Sequence, residues 1–183
     1  ERSIVFNPKD SNSYFVLKRR SEKHRDFWQF YRASRETSSL YLAYENGSEK
    51  MLFKDISFEE IDYCQDKKIL AAIHNDGDGA LNLALLNLKD HADKITEGLS
   101  TDKILSFPLG KKNLVETRHP RFNKDCSKLY YTKRIGEDYD IFVYDLKTNE
   151  ESEFYSSSDF DLYPEPTEKG VFFVSPSQGD MRI

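Results

Sequence analysis

The stretch KLYYTKRIGEDYDIFVYDLKTNEESEFY, Lys128 to Tyr155, alternates two kinds of residue with unusual regularity. Leu129-Tyr130-Tyr131-Thr132 and Ile141-Phe142-Val143-Tyr144 are built from β-branched and aromatic side chains, which favour strands. Gly136-Glu137-Asp138 separates them, and Lys147-Thr148-Asn149-Glu150 leads on to Ser152-Glu153-Phe154-Tyr155. Connections this short demand antiparallel neighbours. The unit is a three-stranded meander, and whatever the chain folds into must accommodate it.

The meander recurs. FWQFYRASRETSSLYLAYENGSEKMLF (Phe27 to Phe53) lays over it, with Trp28 on Leu129, Leu40 on Ile141 and Phe53 on Phe154. KILAAIHNDGDGALNLALLNLKDHADKITEG (Lys68 to Gly98) repeats it with a longer first turn and Leu83 on Ile141. GVFFVSPSQGDMRI (Gly170 to Ile183) matches the first strand and the start of the second, with Asp180-Met181 on Asp140-Ile141. The positions Leu40, Leu83, Ile141 and Met181 lie roughly 43, 58 and 40 residues apart, against about 40–45 for a four-stranded propeller blade. The excess in the long interval points to an inserted hairpin over 100–116. A sheet that is hydrophobic on both faces cannot bury them alone, but stacking such sheets around an axis does so. A β-sandwich would give turns at similar spacing but not matching residues at matching places. The sequence therefore predicts an all-β chain: a single β-propeller domain over 1–183, or a fragment of one. Its four-stranded antiparallel blades fall at about 13–56, 61–99, 117–157 and 163–183. Trp28 or Phe30, Leu83, Leu85, Ile141, Val143 and Phe172 are expected between blades. About three to four blades are present. Because the last one stops early and the chain opens on Glu1, missing strands are expected from a longer polypeptide or another chain.

HPRFNKDCSKLYYTKRIGEDYDIFVYDLKTNEE (His119 to Glu151) resembles the repeat of TolB-like, WD40-like β-propellers. Pro120, Phe122, Asn123, Asp125, Thr132, Asp140, Ile141, Tyr144 and Asp145 stand where that pattern wants them, and YPEPTEKGVFFVS starts another copy with Pro164 and Ser175. The recurrent proline is missing before Lys68, where EEIDYC stands. The resemblance implies a non-enzymatic scaffold that binds a protein or peptide in the bacterial envelope. Propeller domains of prolyl-oligopeptidase-type serine peptidases look similar and gate a separate catalytic domain, so that reading stands as the alternative.

The residues themselves show little chemistry. No Gly-x-Ser-x-Gly elbow, His-Glu-x-x-His or phosphate-binding glycine loop occurs, so no catalytic, cofactor-binding or metal-binding residue is assigned and no cofactor is expected. His24, His74, His91 and His119 are scattered, and turns or strand ends suit them better than a metal. A propeller lyase would need His, Arg or metal ligands gathered at one end of the axis. Asp76 and Asp78 in HNDGDGALN lack the further oxygens and distal Glu of a calcium loop, and read as a tight turn. Asp140 and Asp180, with Asn82 and Ser39 at the same repeat position, suggest side chains bonding turn amides. SSSDFDLYPEP (Ser156 to Pro166) is an acidic, aromatic connection suited to a binding face.

Net charge -5 and pI 5.5 argue against nucleic acid as a partner. The basic run Lys18-Arg19-Arg20 to Lys23-His24-Arg25 reads as a solvated turn. No apolar run approaches the roughly 18 residues of a membrane helix, so no membrane insertion is expected. Cys64 and Cys126 lie in no CxxC motif, and a disulfide between them requires Cα atoms within about 7 Å. Asn46-Gly47-Ser48 matches a glycosylation sequon but is first a hairpin turn. No signal peptide is recognised. The expected location is periplasmic or extracellular, with a cytoplasmic one left open.

Overall fold

The computed structural model describes residues 2–6, 12–19, 38–75, 80–88, 108–109, 116–177 and 180–182. They form four antiparallel sheets. Sheet 1 comprises β1 (Arg2–Phe6), β2 (Ser13–Arg19), β3 (Ser38–Tyr44) and β4 (Glu49–Ile56). Sheet 2 comprises β5 (Phe58–Cys64), β6 (Ile69–Asn75), β7 (Leu81–Asn87) and β8 (Pro108–Leu109). Sheet 3 comprises β9 (Thr117–Phe122), β10 (Lys128–Ile135), β11 (Asp138–Asp145) and β12 (Glu150–Tyr155), and sheet 4 β13 (Leu162–Thr167), β14 (Gly170–Ser177) and β15 (Asp180–Arg182). Strands follow one another in space as in sequence, and each sheet packs on the next. The fold is all-β: among the described residues there are three four-stranded propeller blades and a three-stranded one. Among the described residues no helix is long and apolar enough to cross a membrane.

Both faces of sheet 2 are apolar because alternate residues serve alternate seams. Ala84 and Leu86 join Leu17, Leu40, Phe53 and Ile61 between sheets 1 and 2. Leu83, with Leu85 partly buried beside it, joins Leu129, Tyr131, Phe142 and Tyr144 between sheets 2 and 3. The start of each third strand is also tied to the next sheet. Ser38 Oγ donates to the Phe58 carbonyl at 2.9 Å, Leu81 bridges Glu116, and the Asp161 amide donates to the Tyr139 carbonyl at 2.7 Å.

Several expectations need correction. The strand beside β3 is β2, not the Phe27 run, since β3 has β2 on one edge and β4 on the other. Strand composition alone could not choose between two apolar runs. Trp28 and Phe30 lie outside the described residues, as do His24, His91, Asp76, Asp78 and most of 100–116. Within that last segment, Pro108–Leu109 pair with β7. Phe172 is 57% exposed, because it lies on the face of sheet 4 turned away from sheet 3, whereas its neighbour Phe173 packs on Tyr155 at 4.7 Å. Val143 is only half-buried, beside an open, polar-lined cavity of about 510 Å³. Asp140 lies inside β11, not ahead of it, and its buried Oδ1 has no hydrogen-bond partner. The Asn46-Gly47 turn is as expected a hairpin.

Candidate inner-strand binding face

The inner strands β5, β9 and β13 carry a connected set of charged and polar side chains. Two of them share a backbone device. In β9 the pairing with β10 shifts register around His119-Pro120, and in β13 the pairing with β14 shifts around Tyr163-Pro164. Proline has no amide to donate, so it fits where the ladder is interrupted. His119 (φ 53°) and Tyr163 (φ 58°) occupy the left-handed region, which costs about 1–3 kcal/mol for such residues. The two rings meet across the seam between sheets 3 and 4 at 3.9 Å between centroids. In β5 the register also shifts between Phe58 and Glu60, but Ile61 stands in the proline's place, and no residue there has positive φ.

Equivalent positions on neighbouring inner strands carry complementary charge. Arg118 Nη1 donates to Glu59 Oε2 at 2.8 Å and to Glu60 Oε1 at 3.4 Å, and Arg118 Nε donates to Glu116 Oε1 at 3.4 Å. The other Glu60 oxygen accepts the His119 backbone amide (2.7 Å), and Asp62 Oδ2 accepts that of Phe122 (2.7 Å). Carboxylates of β5 thus cap amides of β9 that its own sheet leaves open. Burial pushes the Asp62 carboxyl above its ordinary range, partly offset by the Phe122 amide and Arg121. Burial also works upward on Glu116, but the Tyr139 hydroxyl and the Arg118 and Arg134 guanidiniums outweigh it and hold Glu116 low. Below this network Cys64, closing β5, is joined to Cys126 in the β9–β10 turn by a disulfide with Cα atoms 5.8 Å apart.

His119 is the one histidine the structure places in this network. It is mid-strand, not in a turn or at a strand end as the sequence suggested, whereas His74 lies beside the end of β6 and packs edge-on against Phe58. Burial, with Arg118 and Arg121 nearby, holds the imidazole below its ordinary pKa against the pull of Glu60. It is therefore neutral at pH 7. Its Nδ1 lies 3.3 Å from Thr132 Oγ1, a histidine–hydroxyl pair of the kind that can activate a nucleophile. Thr132 is wholly buried, however, so its oxygen is closed to substrate. Among the described residues no three His, Cys, Asp or Glu side chains group to hold a metal ion. The arrangement can bind and orient. What it presents to solvent are Tyr163 (57% exposed), Glu165 (67% for its side chain) and Arg121 (42%), the last two paired at 3.5 Å. Phe160, on the acidic connection, is also exposed and packs edge-on against Tyr139.

Sequence reasoning singled out none of Glu59, Glu60, Asp62, Arg118 or Arg121, whereas Tyr163 and Glu165 fall within the Ser156 to Pro166 stretch it marked as suited to a binding face. A signal existed: Glu59 and Arg118, and likewise Glu60 and His119, are separated by the same 59 residues.

No protein-family model and no curated protein sequence matches the chain. Solved structures do. The β-propeller domain of the Trilobed protease from Pyrococcus furiosus superposes with a TM-score of 0.62 at 11% identity, over 95% of this chain and 47% of that one. A putative TolB from Agrobacterium tumefaciens gives 0.61 at 16% identity, over 93% of this chain and 52% of that one. An oligogalacturonate lyase in complex with manganese gives 0.55 at 15%, over 87% and 43%. The likeness is one of fold, and the chain spans about half the length of these structures.

Proposed function

We propose that the chain is a non-enzymatic, TolB-like propeller unit that holds a protein or peptide partner against the inner strands of sheets 3 and 4. The observation that carries this is the exposed Arg121–Tyr163–Glu165 group on a backbone fixed by two proline bulges. Aromatic and arginine side chains on a rigid frame are what binding hot spots are made of, and the buried hydroxyl beside His119 disfavours chemistry there. The fold shared with the putative TolB supports the same reading. The Cys64–Cys126 disulfide supports a location outside a reducing cytoplasm, periplasmic or extracellular. Selection of peptides from a displayed random library, followed by Tyr163→Ala and Arg121→Glu, tests the proposal. Each variant is expected to weaken the selected peptides about tenfold or more while melting like the parent. If the library yields no binder, or if both variants bind as the parent does, the reading fails.

A second reading is favoured by the protease propeller: a gating domain beside a hydrolase domain. A reading frame that extends this chain into a segment with Gly-x-Ser-x-Gly between a strand and a helix establishes it; the TolB-like reading requires its absence.

A further inference from the structure

The connection between β3 and β4 is a four-residue hairpin turn, Glu45 to Ser48. The Gly47 amide donates to the Tyr44 carbonyl (2.9 Å), the Tyr44 amide donates to the Ser48 carbonyl (2.9 Å), and Gly47 sits at φ +81°. This is a turn followed by a left-handed glycine, which hands the chain back to the ladder. Asn46, Gly47 and Ser48 are all exposed, and a side chain added at Gly47 would meet nothing within 4 Å. An asparagine followed by an unhindered glycine is chemically labile. The Gly47 amide nitrogen, once deprotonated by hydroxide, can attack Asn46 Cγ. The N–Cγ bond forms, the Cγ–Nδ2 bond breaks, and Nδ2 leaves as ammonia with a proton from water. Water then opens the cyclic imide at either carbonyl to give an aspartyl or isoaspartyl linkage.

The native turn holds every participant away from that reaction. The nucleophilic nitrogen is committed to Tyr44. The carboxamide is pinned through Oδ1, which accepts from the Ser48 amide at 2.9 Å and the Ser48 hydroxyl at 2.7 Å. We infer that Asn46-Gly47 is a self-modification site of this chain, converted to the isoaspartyl form only when the β3–β4 turn opens, with the Ser48 hydroxyl as its latch. The asparagine is not regenerated, because its side-chain nitrogen has left as ammonia. An isoaspartyl linkage adds one backbone methylene and a carboxylate where β4 enters the ladder. β4 carries Leu52, Phe53 and Ile56 into the first seam, so the edge of sheet 1 loosens once the product forms.

The test is ageing of the intact, oxidised chain in mildly alkaline buffer at physiological temperature. Isoaspartate is read by protein isoaspartyl methyltransferase labelling and located by peptide mass mapping. A synthetic peptide spanning Tyr41 to Met51 serves as the unstructured reference. The folded chain is expected to convert at position 46 several-fold more slowly than the peptide. Ser48→Ala should convert about fivefold faster than the parent, in line with loss of one hydrogen bond from the latch. Asn46→Gln should remove the label from this tryptic segment. Equal rates for folded chain and peptide overturn the gating, as does a Ser48→Ala rate equal to the parent's. An unlabelled position 46 in the folded chain, when the peptide and Ser48→Ala chain are both labelled, fits a latch that stays closed. Absence of label in Ser48→Ala as well overturns the assignment of the site. Circular dichroism of each variant before ageing separates a turn effect from failure to fold.

Discussion

Reduction of the Cys64–Cys126 disulfide is the perturbation whose size can be worked out most directly. The bond joins residues 62 apart in sequence and crosses the seam between sheets 2 and 3. In the unfolded chain it closes a loop of that length, and the entropy so removed corresponds to about 4 kcal/mol at room temperature. Both cysteines are buried in the fold, so reduction leaves two small apolar side chains in place and opens no large cavity. The loss should therefore come from the unfolded state and should be nearly the same for thiol reduction and for the double substitution Cys64→Ala, Cys126→Ala. A domain of this size loses roughly 2–4 °C in melting temperature per kcal/mol, so the midpoint should fall by about 8–16 °C. Thermal melting and urea titration with and without reductant, read by tryptophan and tyrosine fluorescence, measure the midpoint shift and the free-energy difference. Thiol quantification under denaturing conditions, without reductant, confirms the starting bond. Coincident midpoints for the oxidised and reduced chains would refute the argument, because the cross-link would then constrain nothing that unfolding releases. Free thiols in chain purified from an oxidising compartment would also remove the support for the proposed location.

The two faces of the stack should respond oppositely to substitution. Leu83→Ala, wholly buried in the second seam, should cost about 2–5 kcal/mol, whereas Phe172→Ser, on the open face of sheet 4, should stay within about 0.5 kcal/mol in the isolated chain; comparable losses would mean the seams are misassigned. Acidification should expose His119. Its folded pKa is depressed, so the unfolded chain takes up the proton first as pH falls below about 6.5, and the stability present above that value is lost as pH falls toward the folded pKa. His119→Asn tolerates the left-handed backbone and does not titrate, so its urea midpoint should fall less steeply than the parent's between about pH 7 and pH 5. Parallel profiles would show that His119 does not feel its surroundings as described.

The parts of the fold that were legible in the sequence were those written by local physics. Turn residues such as Gly136 and Asn149, both at positive φ, mark hairpin ends because their backbones tolerate what other residues resist. Strand composition then located β10, β11, β6 and β7. It misassigned the neighbour of β3 because Phe27 to Tyr31 and Tyr14 to Leu17 are both apolar runs rich in aromatic residues, and the choice between them is decided by register and by both faces of the sheet. Phe172 shows the complementary failure. Its residue type matches a seam position, but its burial depends on a neighbouring sheet that no local pattern supplies.

The candidate site was hidden for a different reason. Its contacts join residues far apart in sequence, and each of its side chains taken singly looks like an ordinary exposed charge. The repeats keep their apolar positions alike, so every seam can close by the same packing. The inner-strand positions vary instead. Glu59 is followed at the same place by Arg118, and Asp62 by Arg121 and then Glu165, so charges alternate from sheet to sheet. This alternation matches each sheet to its neighbour, since exchanging the order of sheets 2 and 3 would set Arg121 and Glu165 on nonadjacent sheets and separate an ion pair that, with Lys124–Glu168, ties sheet 3 to sheet 4. It also leaves solvent-exposed groups at the outermost of these seams, at Arg121, Tyr163 and Glu165. The same rule that orders the sheets therefore leaves exposed aromatic and charged side chains at the seam between sheets 3 and 4, and that is why a partner is sought there and not at Arg118, which is already bonded to Glu59, Glu60 and Glu116.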